Sequence, residues 1–88
     1  MVKSGDESRR KILIAIVELS AKYEYSPTVR QIAEAVGLSH SPTHKHLMKL
    51  VADGLVLAPP RSGVGWRLTS KGSVKALALR QRSITNTS

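Results

Sequence analysis

The chain contains no cysteine and no phenylalanine, and aromatic residues make up only 3% of it. Lack of cysteine rules out disulfides, thiol nucleophiles and thiolate metal sites, and is compatible with a reducing, cytoplasmic compartment. So few aromatics exclude a platform on which single-stranded bases stack. Trp66, Tyr23 and Tyr25 are instead expected in the core, under the hairpin and in loop packing. Long apolar runs are also missing. The longest aliphatic stretch, 12–17, is far too short to span a bilayer. The N-terminus, Met-Val-Lys-Ser-Gly-Asp-Glu, lacks the apolar centre of a signal peptide. Internal repeats are absent, and 88 residues hold one small domain with a single core.

Acidic residues are the most telling scarcity. There are six against fourteen lysines and arginines, a formal net charge of +8. After Ala35 the sole carboxylate is Asp53, and after Gly54 there is none, while Arg61, Arg67, Lys71, Lys75, Arg80 and Arg82 follow. One-sided charge in a small fold repels itself unless a polyanion neutralises it. A merely solubilising basic surface explains the total, but nucleic acid explains the asymmetry better.

What is present is helical punctuation. Ile12, Ile16, Leu19 and Tyr23 recur on one face of a helix expected over about 8–23, and Ile14, Val17 and Ala21 make a thinner stripe opposite. A helix apolar on two sides needs two partners, here a C-terminal helix or a second subunit. Thr28 and Gln31 have capping-box spacing, and Pro27 discourages an earlier start. Val29, Ile32, Ala33 and Val36 form the core face of this second helix, and Gly37 supplies its left-handed stop. A third helix is expected over 41–53, with Ser41 as N-cap and Pro42 in the first helical position. Gly54 ends it. Thr43, Leu47, Leu50 and Val51 face inward. With Leu47 centred, Pro42, Lys45 and Lys49 point outward, flanked by Ser41, His46 and Met48, and His44 falls near the buried edge.

After Gly54 the apolar period becomes two. Leu55-Val56-Leu57-Ala58 and Trp66-Arg67-Leu68-Thr69 read as paired strands around a loop, Pro-Pro-Arg-Ser-Gly-Val-Gly, too long for a tight turn. Thr69 or Ser70 caps a last helix to about Arg82, with Val74, Leu77, Ala78 and Ile84 as its apolar stripe. The expected fold is α+β and mostly helical: a winged helix-turn-helix with a three-helix core, a two-stranded wing and a C-terminal helix. Its expected organisation is a flexible 1–7, a DNA-binding unit over 8–69, a dimerisation candidate over 70–82 and a frayed 83–88.

At these residues the chain resembles a family. Tyr25-Ser26-Pro27-Thr28-Val29-Arg30-Gln31-Ile32-Ala33-Glu34-Ala35-Val36-Gly37-Leu38-Ser39 is similar to the N-terminal DNA-binding domain of LexA-type repressors, with Gln31 where Glu is usual. The resemblance covers roughly 10–57. Between Gly37 and Leu47 the chain is one residue shorter than the usual pattern and matches the generic Gly-Leu-Ser-x-Ser-Thr-Val-x-x-His-Leu form instead. Trp66-Arg67-Leu68-Thr69-Ser70-Lys71-Gly72 is similar to the strand-to-helix ending of MarR-like and PadR-like regulators, many of which dimerise through terminal helices. The 88 residues hold no counterpart of the self-cleaving LexA protease. The resemblance implies a stand-alone regulator with an operator of its own.

The expected contacts follow from the motif. Ser41, Pro42, Lys45 and His46 are the candidates for base edges, with Lys45 foremost and Pro42 against a thymine methyl. Thr28, Arg30, His40, Lys49, Arg61 and Arg67 are the candidates for phosphates, Arg30 because it adds its charge to a helix N-terminus. His40, His44 and His46 lack a fourth ligand nearby, so no metal or other cofactor is expected. Nor is catalysis: there is no paired-carboxylate motif, no phosphate-binding glycine loop, and a Ser62–Lys71 dyad has no cleft around it. The expected partner is double-stranded DNA, bound by a homodimer. Two alternatives are a winged helix that binds protein and a non-specific architectural DNA binder.

Overall fold

Two glycines and two threonines set most element boundaries in this protein. The computed structural model describes the backbone of residues 4–59 and 65–86 and the side chains of 7–59 and 65–81. Helix α1 spans Ser4–Tyr23, α2 Val29–Val36, α3 His40–Ala52 and α4 Ser70–Asn86, with strands β1 (Val56–Leu57) and β2 (Arg67–Leu68) between the last two helices. The strands pair antiparallel, Val56 opposite Leu68 and Leu57 opposite Arg67.

Thr28 caps α2 with the reciprocal box its spacing predicts. The Gln31 N–H donates to Thr28 Oγ1 at 3.2 Å, and the Thr28 N–H donates to Gln31 Oε1 at 2.9 Å. Gly37 (φ 75°) and Gly54 (φ 77°) take left-handed backbone at the ends of α2 and α3, a conformation that costs glycine nothing. Past Gly54, the Leu55 N–H returns to the Leu50 carbonyl at 3.0 Å. Thr69 then starts α4: its hydroxyl accepts from the Gly72 N–H at 2.9 Å and donates to the Gly54 carbonyl at 2.7 Å. One threonine therefore locks the hairpin's return to the end of α3.

The core joins Ile12, Leu13 and Ile16 of α1 to Ile32 of α2, Leu47 and Leu50 of α3, Leu55 and Val56 at the start of the hairpin, Trp66 on its return, and Ala76 of α4. Helix α4 packs along α1: Val17 of the second stripe packs against the core, and Arg80 of α4 meets Glu18 of α1 at 3.8 Å, while Ala21 of that stripe is exposed. Among the described residues no helix is long and apolar enough to cross a membrane.

Several boundaries and faces differ from the sequence-based expectation. Helix α1 begins at Ser4 rather than Ser8, where Glu7 lies near the positive helix end and pairs with Lys11 at 3.9 Å. Helix α3 begins two residues earlier than expected. Ser39 is its N-cap residue, with extended backbone and no side-chain cap bond. Pro42 thus occupies the third helical position, where a missing N–H is still harmless. Helix α4 continues to Asn86, past the expected end at Arg82, since no glycine or proline interrupts it after Gly72.

The α4 stripe is the larger correction. Val74 and Leu77 are 69% and 50% exposed and Ala78 faces outward, while Ile84 lies outside the described side chains. The inward face carries Gly72, Ser73, Ala76 and Leu79 instead. Small residues win there because the helix backs directly onto the chain: a Cβ on Gly72 would overlap the Leu55 carbonyl. The tyrosines are not core either. Tyr23 and Tyr25 are exposed, stacked on each other at 5.8 Å, with Lys22 Nζ over the Tyr23 ring.

Candidate nucleic-acid interface

Helix α3 divides cleanly into two sides. Thr43, Leu47 and Leu50 are buried, and the Thr43 hydroxyl, on the one buried polar or charged residue among the described residues, donates to the Ser39 carbonyl at 2.8 Å. His40, Ser41, His44, Lys45, Met48, Lys49 and Ala52 are exposed. Their offsets of one, four, five, eight, nine and twelve from His40 trace one continuous stripe along the helix. The stripe is polar and cationic around a single thioether, and α3 has no acid in its first turn.

The sequence-based candidates distribute as follows. Ser41, Lys45, Lys49 and His40 lie on the exposed stripe, whereas Pro42 and His46 are half-buried at its edge. In their place His44 and Met48 emerge, Met48 at 45% exposure. The physical reason lies in where Leu47 sits. It marks one margin of an inward arc running through Thr43, Leu50, His46 and Pro42. Centring the wheel on it therefore rotates the outer face by about a fifth of a turn at 100° per residue. The signal that locates His44 and Met48 is the pair Thr43 and Leu50, taken together with Leu47.

A ring cluster fixes the start of this stripe. His44 stacks parallel on His40 at 6.4 Å and meets the edge of Trp66 at 5.8 Å and 81°. Trp66 is 5% exposed, and its backbone N–H donates to the Pro27 carbonyl at 2.8 Å. Beside it, Gly65 lies so close to the Ser26 and Pro27 carbonyls that any side chain there would overlap them. The return of the hairpin is thus pinned between the entry to α2 and the outer face of α3. That pinning sets Arg67, exposed on β2. Arg61 lies outside the described residues.

At the start of α2, Thr28 spends both its hydroxyl and its backbone N–H on the capping box. The next N–H groups, of Val29 and Arg30, have no intrahelical carbonyl to meet, and no acid occupies this first turn. Such an end attracts an anion. Arg30 stands beside it and leans on Glu34 at 4.0 Å, but both side chains are highly exposed, at 86% and 74%. A pair so exposed holds the arginine weakly and yields easily to a phosphate. Among the described residues no three histidine or acidic side chains gather in a way that holds a metal ion.

Comparison with known proteins agrees with this geometry. Residues 5–56 match the family model described as winged helix-turn-helix DNA-binding. The LexA repressor of Oenococcus oeni is 42% identical over 62 residues, covering 69% of this chain and 29% of that protein. The LexA repressor of Leuconostoc mesenteroides is 41% identical over 58 residues, covering 65% of this chain and 27% of that protein. For the LexA repressor of Enterococcus faecalis the figures are 36% over 76 residues, 85% and 36%. The chain therefore spans about a third or less of the length of these relatives. A model matching more than half of the chain, over the α1–α3 frame that carries the exposed stripe, places this protein in the winged helix-turn-helix DNA-binding family.

Proposed function

We propose that the protein is a sequence-specific repressor that binds double-stranded DNA, with α3 in the major groove. The observation that carries this is the continuous exposed stripe on α3, held in place by Thr43, Leu47 and Leu50 on its other side. Ser41, His44, Lys45 and Met48 are assigned to base edges, with Met48 suited to a thymine methyl and Lys45 to a guanine edge. Pro42 and His46, half-buried, take lesser roles at the margin. Thr28, Arg30, His40, Lys49 and Arg67, joined by Arg61 of the wing, are assigned to phosphates. The name repressor comes from the LexA relatives and matches a small module whose occupancy of DNA blocks other proteins. Its activity is binding, not catalysis, and its place of work is the DNA-containing cytoplasm.

One helix with four reading side chains specifies few base pairs, so two copies on an inverted repeat are proposed, with half-sites roughly 34 Å apart. The exposed large apolar side chains outside α3 are few: Tyr23, Tyr25, Leu57, Val74 and Leu77 among the described residues. Stable dimers bury about 800 Å² per partner, so the pairing is expected on DNA and not in the free protein.

Two substitutions test the assignment in a titration against a selected site and random duplex. Lys45→Ala is expected to lose the preference for the selected site by about tenfold, in line with 1–3 kcal/mol for a base contact. Arg67→Ala is expected to weaken both duplexes alike and to flatten the slope of log K against log salt by about 0.9. Equal loss on both duplexes for Lys45→Ala would overturn base reading by α3. Binding that is absent, or indifferent to salt, would favour a protein partner over DNA.

A further inference from the structure

The outward face of α4 and the end of α3 enclose a groove that the DNA-reading stripe does not use. It has a volume of about 650 Å³ and is lined by Asp53, Leu55, Lys71, Val74, Lys75 and Ala78. A second hollow of about 220 Å³ continues from it past Lys75 to Arg10 and Leu50. Leu50 belongs to the buried side of α3, so the groove lies behind that helix, away from Ser41 and Met48.

Its chemistry is specific. Lys71, Val74, Lys75 and Ala78 stand at i, i+3, i+4 and i+7, one face of α4 about 10 Å long at 1.5 Å per residue. Val74 offers an apolar surface that is 69% exposed, above a floor made by the buried Leu55. Lys71, Lys75 and Arg10 are exposed cations along the rim, against the single carboxylate of Asp53. An apolar floor between cations matches a ligand that is apolar in the middle and anionic on its flanks.

We infer that this groove docks a short acidic, amphipathic segment of a partner protein, about two helical turns long. Its apolar residues lie on Leu55, Val74 and Ala78, and its carboxylates face Lys71, Lys75 and Arg10. Helix-in-groove docking of this kind uses anchors at i, i+3 or i+4, and i+7. DNA is disfavoured as the occupant because a sugar-phosphate backbone gains nothing from Val74 and Leu55. A second copy of this chain is disfavoured by charge: two copies at +8 repel each other, and three of the six acids, Glu7, Glu18 and Glu34, already face Lys11, Arg80 and Arg30 at 3.8–4.0 Å. Because the groove lies behind α3, the segment and DNA can be held together, which gives a DNA-bound protein a handle for a second protein.

The test is selection of binders to the whole chain from a random 12-residue peptide library, followed by affinity measurement on three proteins. Expected are peptides enriched in Asp and Glu around apolar residues at helical spacing. Their affinity is expected to fall at least tenfold for the double variant Lys71→Glu, Lys75→Glu and for Val74→Asp. All three altered side chains are exposed, so folding is expected to survive, and thermal unfolding checks it. DNA binding by the variants is the second readout and is expected to stay sequence-selective. The inference is overturned if selection yields no acidic peptides, or if the variants bind the peptides as well as the parent. It is equally overturned if a free-protein dimer dissolves in Val74→Asp, or if the charge reversal chiefly abolishes DNA binding.

Discussion

Thr28→Ala tests whether the capping box, and with it the angle of α2, holds as the geometry says. The substitution deletes the acceptor of the Gln31 N–H at 3.2 Å and leaves the second bond, Thr28 N–H to Gln31 Oε1 at 2.9 Å, in place. Because the site is exposed, the freed N–H regains water, and the cost is that of a lost N-cap, about 1 kcal/mol. For a domain of this size each kcal/mol moves the melting temperature by about 4–8 °C. A fall of that order is expected by circular dichroism or calorimetry. Thr28→Ser keeps the hydroxyl and is expected to recover most of it. Gln31→Ala removes the other half of the box, and the double variant is expected to lose less than the sum, since the two side chains share one pairing. An unchanged melting temperature for Thr28→Ala, or a serine variant as unstable as the alanine one, would refute the box as a stabilising unit.

Two further outcomes follow from close packing at the hairpin. Gly72→Ala is expected to destabilise the protein: its methyl overlaps the Leu55 carbonyl, and strain of about 1–3 kcal/mol exceeds the roughly 1 kcal/mol gained by alanine in a helix. A raised melting temperature would show that α4 has room to move off Leu55. Trp66 is the chain's single tryptophan and touches His44 on the reading stripe, so DNA binding is expected to change its emission. That change should disappear in His44→Ala, and a full response without His44 would mean that DNA approaches by another route.

Where the sequence spoke clearly, the signal was local. Thr28, Gln31 and Gly37 act within one turn of α2, so their spacing alone announced its start and stop. The hairpin was legible for a similar reason, as Val56 and Leu68 oppose each other across a change of period. The inward face of α4 was hidden because Gly72, Ser73 and Ala76 pack by being small, and small residues leave no hydrophobic stripe. Val74 and Leu77 supplied one on the wrong side. The start of α3 was hidden between two serines two positions apart, and there Ser39 is the cap, with its carbonyl bonded to buried Thr43. Candidate contacts inherited that shift. Lys45 and Lys49 tolerate a rotation of a fifth of a turn, while Pro42 and His46 do not.

The central claim is that the stripe from Ser41 to Met48 reads base sequence, and selection of bound duplexes from a random pool tests it most directly. The account predicts convergence on an inverted repeat whose half-sites lie one helical turn apart. It further predicts a changed half-site when His44, Lys45 and Met48 are replaced together by alanine. A pool that never converges, or one that converges on the same site with and without those three side chains, would contradict it.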